Sequence, residues 1–230
     1  MGYNDDMLPD ISPIMVDIET CGLPNAADFL EPVQASKNLV DPAKITADIE
    51  KRTQERDEKL ALDWNVGRIV AIGWWTATAG VGTALCLNEA DEARALRAFW
   101  ESSKRRTIIG FNVKGFDLKF MIQRSRYLGL DYPLLDLGKY TRKGIVDLFS
   151  ELTFNDGTYD QGAMRRTLKA FCKRFGIPVD DTVNGADVPT LVAAGEWDKV
   201  KAHVTSDIDL TLALAQRLGV VRIADPVEVA

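Results

Sequence analysis

Residues Ile14–Thr20 read I-M-V-D-I-E-T. The apolar, β-branched density of Ile14, Met15, Val16 and Ile18 argues a buried strand. Residues i and i+2 of a strand face the same side, so Asp17 and Glu19 project together from an otherwise apolar run. Two carboxylates so placed lose solvation and repel each other. Cations between them make the arrangement stable, and oxygen-only ligands suit hard divalent ions such as Mg²⁺ or Mn²⁺. The alternative is a pair of acids at a fraying strand end, or one of them capping a following turn at Thr20-Cys21-Gly22.

Outward from this strand the chain divides readily. Residues 1–13 form a loose lead-in, and Gly22-Leu23-Pro24 breaks the strand. A long connection covers 25–66. Within it Asp41-Pro42 signals a helix start, and the charged stretch Ala43–Leu62 predicts a helix lying on the surface. Arg68–Thr78 reads as a second strand, Ala79-Gly80-Val81-Gly82 as a hairpin turn and Thr83–Leu87 as a third strand. Asn88–Ser102 places Ala90, Ala93, Leu96, Phe99 and Trp100 on one side of a helix. Thr107–Gly110 is a short strand, Phe116–Leu128 a helix and Gly144–Phe149 a fifth strand. After a turn at Asn155-Asp156-Gly157, a basic amphipathic helix is expected over Gly162–Phe175, stopped by Gly176 and Pro178. Asp180–Pro189 reads as a polar loop and Glu196–Leu218 as the longest helix, with Gly219 as its C-cap. The order implies one α/β domain over 1–230, with a mixed five-stranded sheet flanked by helices and a helical insertion between the first two strands.

With 230 residues, 46% of them apolar, the chain has ample material for a core. No apolar run approaches the roughly 18 residues of a membrane span. The start, M-G-Y-N-D-D, lacks the pattern of a secretory leader. Cys21, Cys86 and Cys172 have no zinc-ligand spacing and read as reduced thiols of a cytoplasmic protein. A net charge of −6 argues against uniform polyanion binding. The charge is nonetheless uneven. Lys104–Arg174 holds 15 Lys and Arg against 7 Asp and Glu, a net of +8 within a chain of −6. That asymmetry fits a local nucleic-acid track beside an acidic site, or else simply solvated helix faces.

Further candidates lie downstream. Asp117, in G-F-N-V-K-G-F-D, follows the T-I-I-G strand at the start of a helix, where an acid also favours the helix dipole. His203 is the only histidine. It precedes Asp207 by one helical turn, so the two share a face, either as part of a site or as a surface pair. Asp209 falls on a different, solvated face.

The order and spacing of these residues resemble the DEDD 3′–5′ exonuclease family, which has a ribonuclease H-like fold. Asp17-Ile18-Glu19-Thr20 with Gly22-Leu23 is similar to its first motif. Asn112 with Phe116-Asp117 is similar to the second, and His203 to Asp207 to the third. The likeness runs from Met15 to about Leu218. It is greatest to the proofreading-type exonucleases of B-family DNA polymerases and to stand-alone phage exonucleases, and Arg68–Gly73 and Phe175–Pro178 share it. The third motif departs from the family pattern. Its spacing is that of the branch with tyrosine, yet the residue is His203. No polymerase module accompanies the motifs, so editing in cis is not expected.

The resemblance implies hydrolysis at a 3′ end with two divalent ions, Mg²⁺ or Mn²⁺, clamping the attacking and leaving oxygens. Asp17 would bridge both ions, Glu19 and Asp207 would complete one site, and Asp117 would support the other. His203 would accept or orient the proton of water, work that suits an imidazole. Thr20 and Leu23 would meet the terminal nucleotide, Phe116 would stack on it, and Asn112 would hold backbone. Arg165, Arg166, Lys169, Lys173 and Arg174 would contact phosphates. The implied partner is nucleic acid with a free 3′ end, DNA before RNA, in the company of replication or repair proteins. The implied location is the cytoplasm, of the host cell if the chain is phage-encoded. Two competing readings are a non-catalytic nucleic-acid-binding or adaptor protein of this fold and a ribonuclease H-like endonuclease.

Overall fold

β1 (Pro13–Gly22) is the central strand of the sheet. In the computed structural model, which describes residues 12–138, 141, 143–154 and 167–221, it pairs antiparallel with β2 (Gly67–Thr76) and parallel with β4 (Thr107–Gly110). β3 (Gly80–Leu85) extends β2 antiparallel, and β5 (Ile145–Asp147) extends β4 in parallel. The strand order is β3-β2-β1-β4-β5, the mixed five-stranded sheet that the sequence predicts.

Side chains of β1 alternate between two helical layers. Ile14, Val16 and Ile18 enter one core with Leu96 and Phe99 of α2 (Glu89–Ser103) and Leu118, Phe120 and Met121 of α3 (Asp117–Tyr127). Met15 enters another with Leu168 and Cys172 of α5 (Leu168–Arg174) and Ile208 and Leu214 of α7 (Trp197–Arg217). Cys21 packs with Val200 and Val204, also of α7. Both faces are covered, which is why the strand reads as a nearly continuous apolar run. The period of two puts Asp17 and Glu19 on the α7 side, between Met15 and Cys21.

Gly73 governs how near α7 comes. It lies opposite Asp17 in the β1–β2 register. A Cβ built there would stand 2.9 Å from Ile208 Cγ1, 3.0 Å from Val204 Cγ2 and 3.3 Å from the Val204 carbonyl oxygen. Only the absent side chain lets the helix settle this close to the sheet.

Several elements differ from the sequence expectation. β5 ends at Asp147, because that carboxylate caps α4 (Leu148–Leu152) by accepting N–H bonds from Phe149 and Ser150. Leu148 and Phe149 are therefore helical. The basic helix expected over Gly162–Phe175 is seen as α5, from Leu168. Its earlier part, with Arg165 and Arg166, lies outside the described residues, as do the turn at 155–157 and most of the lead-in. The expected polar loop holds a 3-10 turn, Gly185–Asp187, and α6 (Val188–Ala193). In the insertion, α1 (Pro42–Asp57) is capped by Asp41, as expected, and buries none of its residues. It ends before a separate 3-10 turn, Leu60–Leu62.

Candidate active site

Asp17 and Glu19 leave β1 toward α7, and the pairing with β2 shifts register directly after Glu19. Such a bulge re-aims side chains at a strand end. Asp117 arrives from the next parallel strand. Gly110 closes β4 against Val113 and the Val16 carbonyl, where a Cβ would come within 2.9 Å. Asn112 takes a left-handed backbone, φ 58°, and its carbonyl accepts N–H bonds from Gly115 and Phe116. The loop is pinned by Asp147, whose carboxylate accepts N–H bonds from Asn112 (3.0 Å) and Lys114 (3.1 Å). Asp117 then sits at the first position of α3 and accepts an N–H bond from Ile18 at 3.1 Å, which ties it to β1 between Asp17 and Glu19.

α7 supplies the remaining groups. His203 is 2% exposed, and its Nε2 lies 3.3 Å from Glu19 Oε1. One ligand atom each of Glu19, His203 and Asp207 lies within 4.8 Å of the others. Asp207 Oδ1 is buried with no hydrogen-bond partner. The His203–Asp207 surface pair weighed from the sequence is thus absent. His203 turns inward to Glu19 and, through Nδ1, to Asp181 at 2.5 Å. Asp209 is exposed, as expected.

Burial and mutual repulsion make these acids hard to ionise together. Burial, then the charges of Asp117, Glu19 and Asp207, hold Asp17 well above the ordinary range. Glu19 is likewise raised by burial, Asp207, Asp117 and Asp181, with Lys169 opposing. Burial pushes Asp117 up to about 7, against N–H bonds from its own backbone and Ile18, while Asp147 and Asp207 raise it further. Burial also raises Asp207. An orphaned buried carboxylate oxygen among acids that repel one another fits a hard cation, which would satisfy the oxygen and offset the charge.

The expected substrate residues are placed as follows. Thr20 is buried, and its hydroxyl donates to the Ala61 carbonyl at 2.5 Å, fastening the insertion to β1. Leu23 is half-buried just past β1. Phe116 is half-buried with its ring against Phe120, and Asn112 is exposed. Of the five basic residues expected on phosphates, Lys169 is turned inward and bonded to Asp181 at 2.9 Å, whereas Lys173 and Arg174 are exposed. Other members of the basic middle segment are also used internally. Arg124 is buried against Glu92 at 2.7 Å, and Lys114 donates to the Thr141 carbonyl.

Two acids escape the sequence reading. Asp147 carries the signal that marked Asp17, an acid on an apolar strand. Asp181 has almost none, since its pairing with α7 is formed by tertiary structure alone.

The sequence model of a family described as "predicted 3′–5′ exonuclease related to the exonuclease domain of PolB" matches residues 62–222. That span includes Asp117, Asp181, His203 and Asp207 and begins after Asp17 and Glu19. Among solved structures, the family B DNA polymerase of the hyperthermophilic archaeon Pyrobaculum calidifontis superposes with a TM-score of 0.59 at 18% identity. The likeness covers 91% of this chain and 25% of the polymerase, so the chain spans about a quarter of that protein's length. No curated protein matches the chain. The sheet order and helical layers are those of the α/β, ribonuclease H-like fold of PolB exonuclease domains. With well over half of its residues matched, the chain belongs to the predicted 3′–5′ exonuclease family related to the exonuclease domain of PolB.

Proposed function

We propose that the protein hydrolyses the terminal phosphodiester at the 3′ end of nucleic acid, DNA in preference to RNA, with the help of divalent cations. Family membership supports the reaction, and the relationship to a DNA polymerase domain supports the preference. The observation that carries the metal dependence is the convergence of Asp17, Glu19, Asp117 and Asp207 around β1 with Asp207 Oδ1 unpartnered.

In this reading Asp17, Glu19, Asp117 and Asp207 hold the cations, Mg²⁺ or Mn²⁺. When bound, these ions offset the carboxylate charge and polarise the phosphodiester. His203 is within ligand reach of Glu19 and Asp207, but an all-oxygen set suits hard ions. Its imidazole is therefore assigned to water. Nε2 takes the proton as the water oxygen bonds to phosphorus, the P–O3′ bond breaks, and a nucleoside 5′-monophosphate leaves. The new 3′ oxygen takes its proton from solvent. Leu23 and Phe116, both only half-buried, present apolar surface to the terminal nucleotide, a contact tolerant of sequence. Thr20 and Asn112 shape the loops on either side.

The test uses 5′-labelled single-stranded DNA and RNA of equal sequence, with and without Mg²⁺ or Mn²⁺. The expected result is a metal-dependent ladder shortening from the 3′ end, faster on DNA. A non-hydrolysable 3′-terminal linkage should block it, and closed circles should survive. Binding without cleavage in metal-replete buffer would point to the adaptor alternative, and cleaved circles to an endonuclease.

A further inference from the structure

His203 is held from both sides. On one side Nε2 faces Glu19. On the other, Nδ1 meets Asp181 Oδ2 at 2.5 Å, and the same oxygen accepts Lys169 Nζ at 2.9 Å. Asp181 Oδ1 accepts the Val183 N–H at 2.9 Å, and Lys169 also donates to the Val183 carbonyl. These bonds join α5, the segment between α5 and α6, and α7 into one chain of contacts, Lys169–Asp181–His203, ending at the carboxylate cluster. The side chains of Asp181 and Lys169 are only 12% and 18% exposed.

We infer that Asp181 is a positioning residue. It fixes the orientation of the His203 ring by accepting from Nδ1, which aims Nε2 at Glu19 and the carboxylate cluster, while Lys169 and the Val183 N–H hold Asp181 in place. This rests on the exonuclease reading for its purpose, but the geometry stands apart from it. An ionised carboxylate accepts from Nδ1, so Asp181 fixes which ring edge faces away from the site, while Nε2 faces a second carboxylate, Glu19 Oε1, at 3.3 Å. Burial works to raise Asp181, but the Lys169, His203 and Val183 bonds outweigh it and hold its carboxyl below the ordinary range. Lys169 has a second effect, because its charge lowers Glu19 and Asp207 and so offsets the acid that Asp181 adds beside them. Without Asp181 the ring would lose its Nδ1 partner and be held on the Glu19 side alone.

Because the chain has one histidine, labelling with ¹⁵N-histidine yields only two ring signals. In Mg²⁺-saturated full-length protein the expected spectrum shows Nδ1 protonated and its proton hydrogen-bonded. In Asp181→Ala the Nδ1 proton should be lost or shared between the nitrogens. A wild-type ring bare at Nδ1, or an Nδ1 signal unchanged in Asp181→Ala, overturns the inference. A kinetic cycle adds a second readout. Asp181→Ala should lower kcat by about 10–100-fold with KM little changed, the range for partners that orient a functional group. In a His203→Ala background it should cost nothing further. Equal losses in both backgrounds would mean a purely structural role. An inactive wild-type protein with Nδ1 protonated would instead remove the exonuclease reading and leave the positioning intact.

Discussion

Asp17, Glu19, Asp117 and Asp207 all hold protons more firmly in the folded chain than in water, with burial the first cause. An acid raised on folding contributes most to stability below its unfolded pKa, and that contribution is lost as pH rises through the folded value. For Asp117 the window runs from roughly 4, the ordinary value, to about 7. Asp181, Asp48 and Asp136 are lowered and act in the opposite sense, at lower pH. Measuring Tm with and without Mg²⁺ at each pH cancels the groups that do not touch the ion. The Mg²⁺-induced rise in Tm should be small at about pH 5 and clearly larger at about pH 7.5, where fewer protons must be displaced from the cluster. A rise independent of pH would mean that these acids do not hold the ion. The residues behind this prediction were legible in the sequence for different reasons. Asp17 and Glu19 stand out because carboxylates at i and i+2 of an apolar strand need an explanation. Asp117, His203 and Asp207 stand out only through the order of motifs. Asp181 was illegible, since no local pattern shows that a loop acid will meet a helix 22 residues later.

Among the elements, α7 is decisive, because it brings His203 and Asp207 to β1. Its close seat depends on Gly73. Gly73→Ala should force Ile208 and Val204 outward and cost about 1–3 kcal/mol, the usual range for overpacking, as read by urea unfolding. Turnover should fall further than stability explains, because the same displacement moves His203 and Asp207 relative to Asp17. Full turnover in a folded Gly73→Ala protein would show that the site does not need this approach. Long, strongly periodic elements such as α2, α3 and α7 were readable to within a residue or two. α4 and α6 were not, being five and six residues long. A run that short does not complete two turns of periodic pattern. Thr20 gives the same lesson at the insertion. Its hydroxyl bonds the Ala61 carbonyl, a partner that only tertiary structure supplies.

For the molecule as a whole, the uneven charge is divided between structural and exposed residues. Lys114, Arg124 and Lys169 serve internal contacts, while Lys173 and Arg174 remain exposed at the end of α5. Replacing both with Ala should weaken oligonucleotide binding and reduce the log–log salt slope by about 1 per lost phosphate contact, leaving turnover at saturating substrate nearly unchanged. An unaltered slope would place the nucleic-acid track elsewhere. The central claim, that the acids around β1 are the hydrolytic centre, is tested most directly by Asp17→Asn. This change removes charge with little change in volume. It should relieve repulsion, so the metal-free protein should be at least as stable as the wild type. The measurement is single-turnover cleavage of 5′-labelled DNA at saturating Mn²⁺. The predicted result is a fall of about 10³-fold or more, since several kcal/mol of transition-state stabilisation would be lost, in a protein that still folds and binds DNA. Near wild-type cleavage by Asp17→Asn would contradict the account.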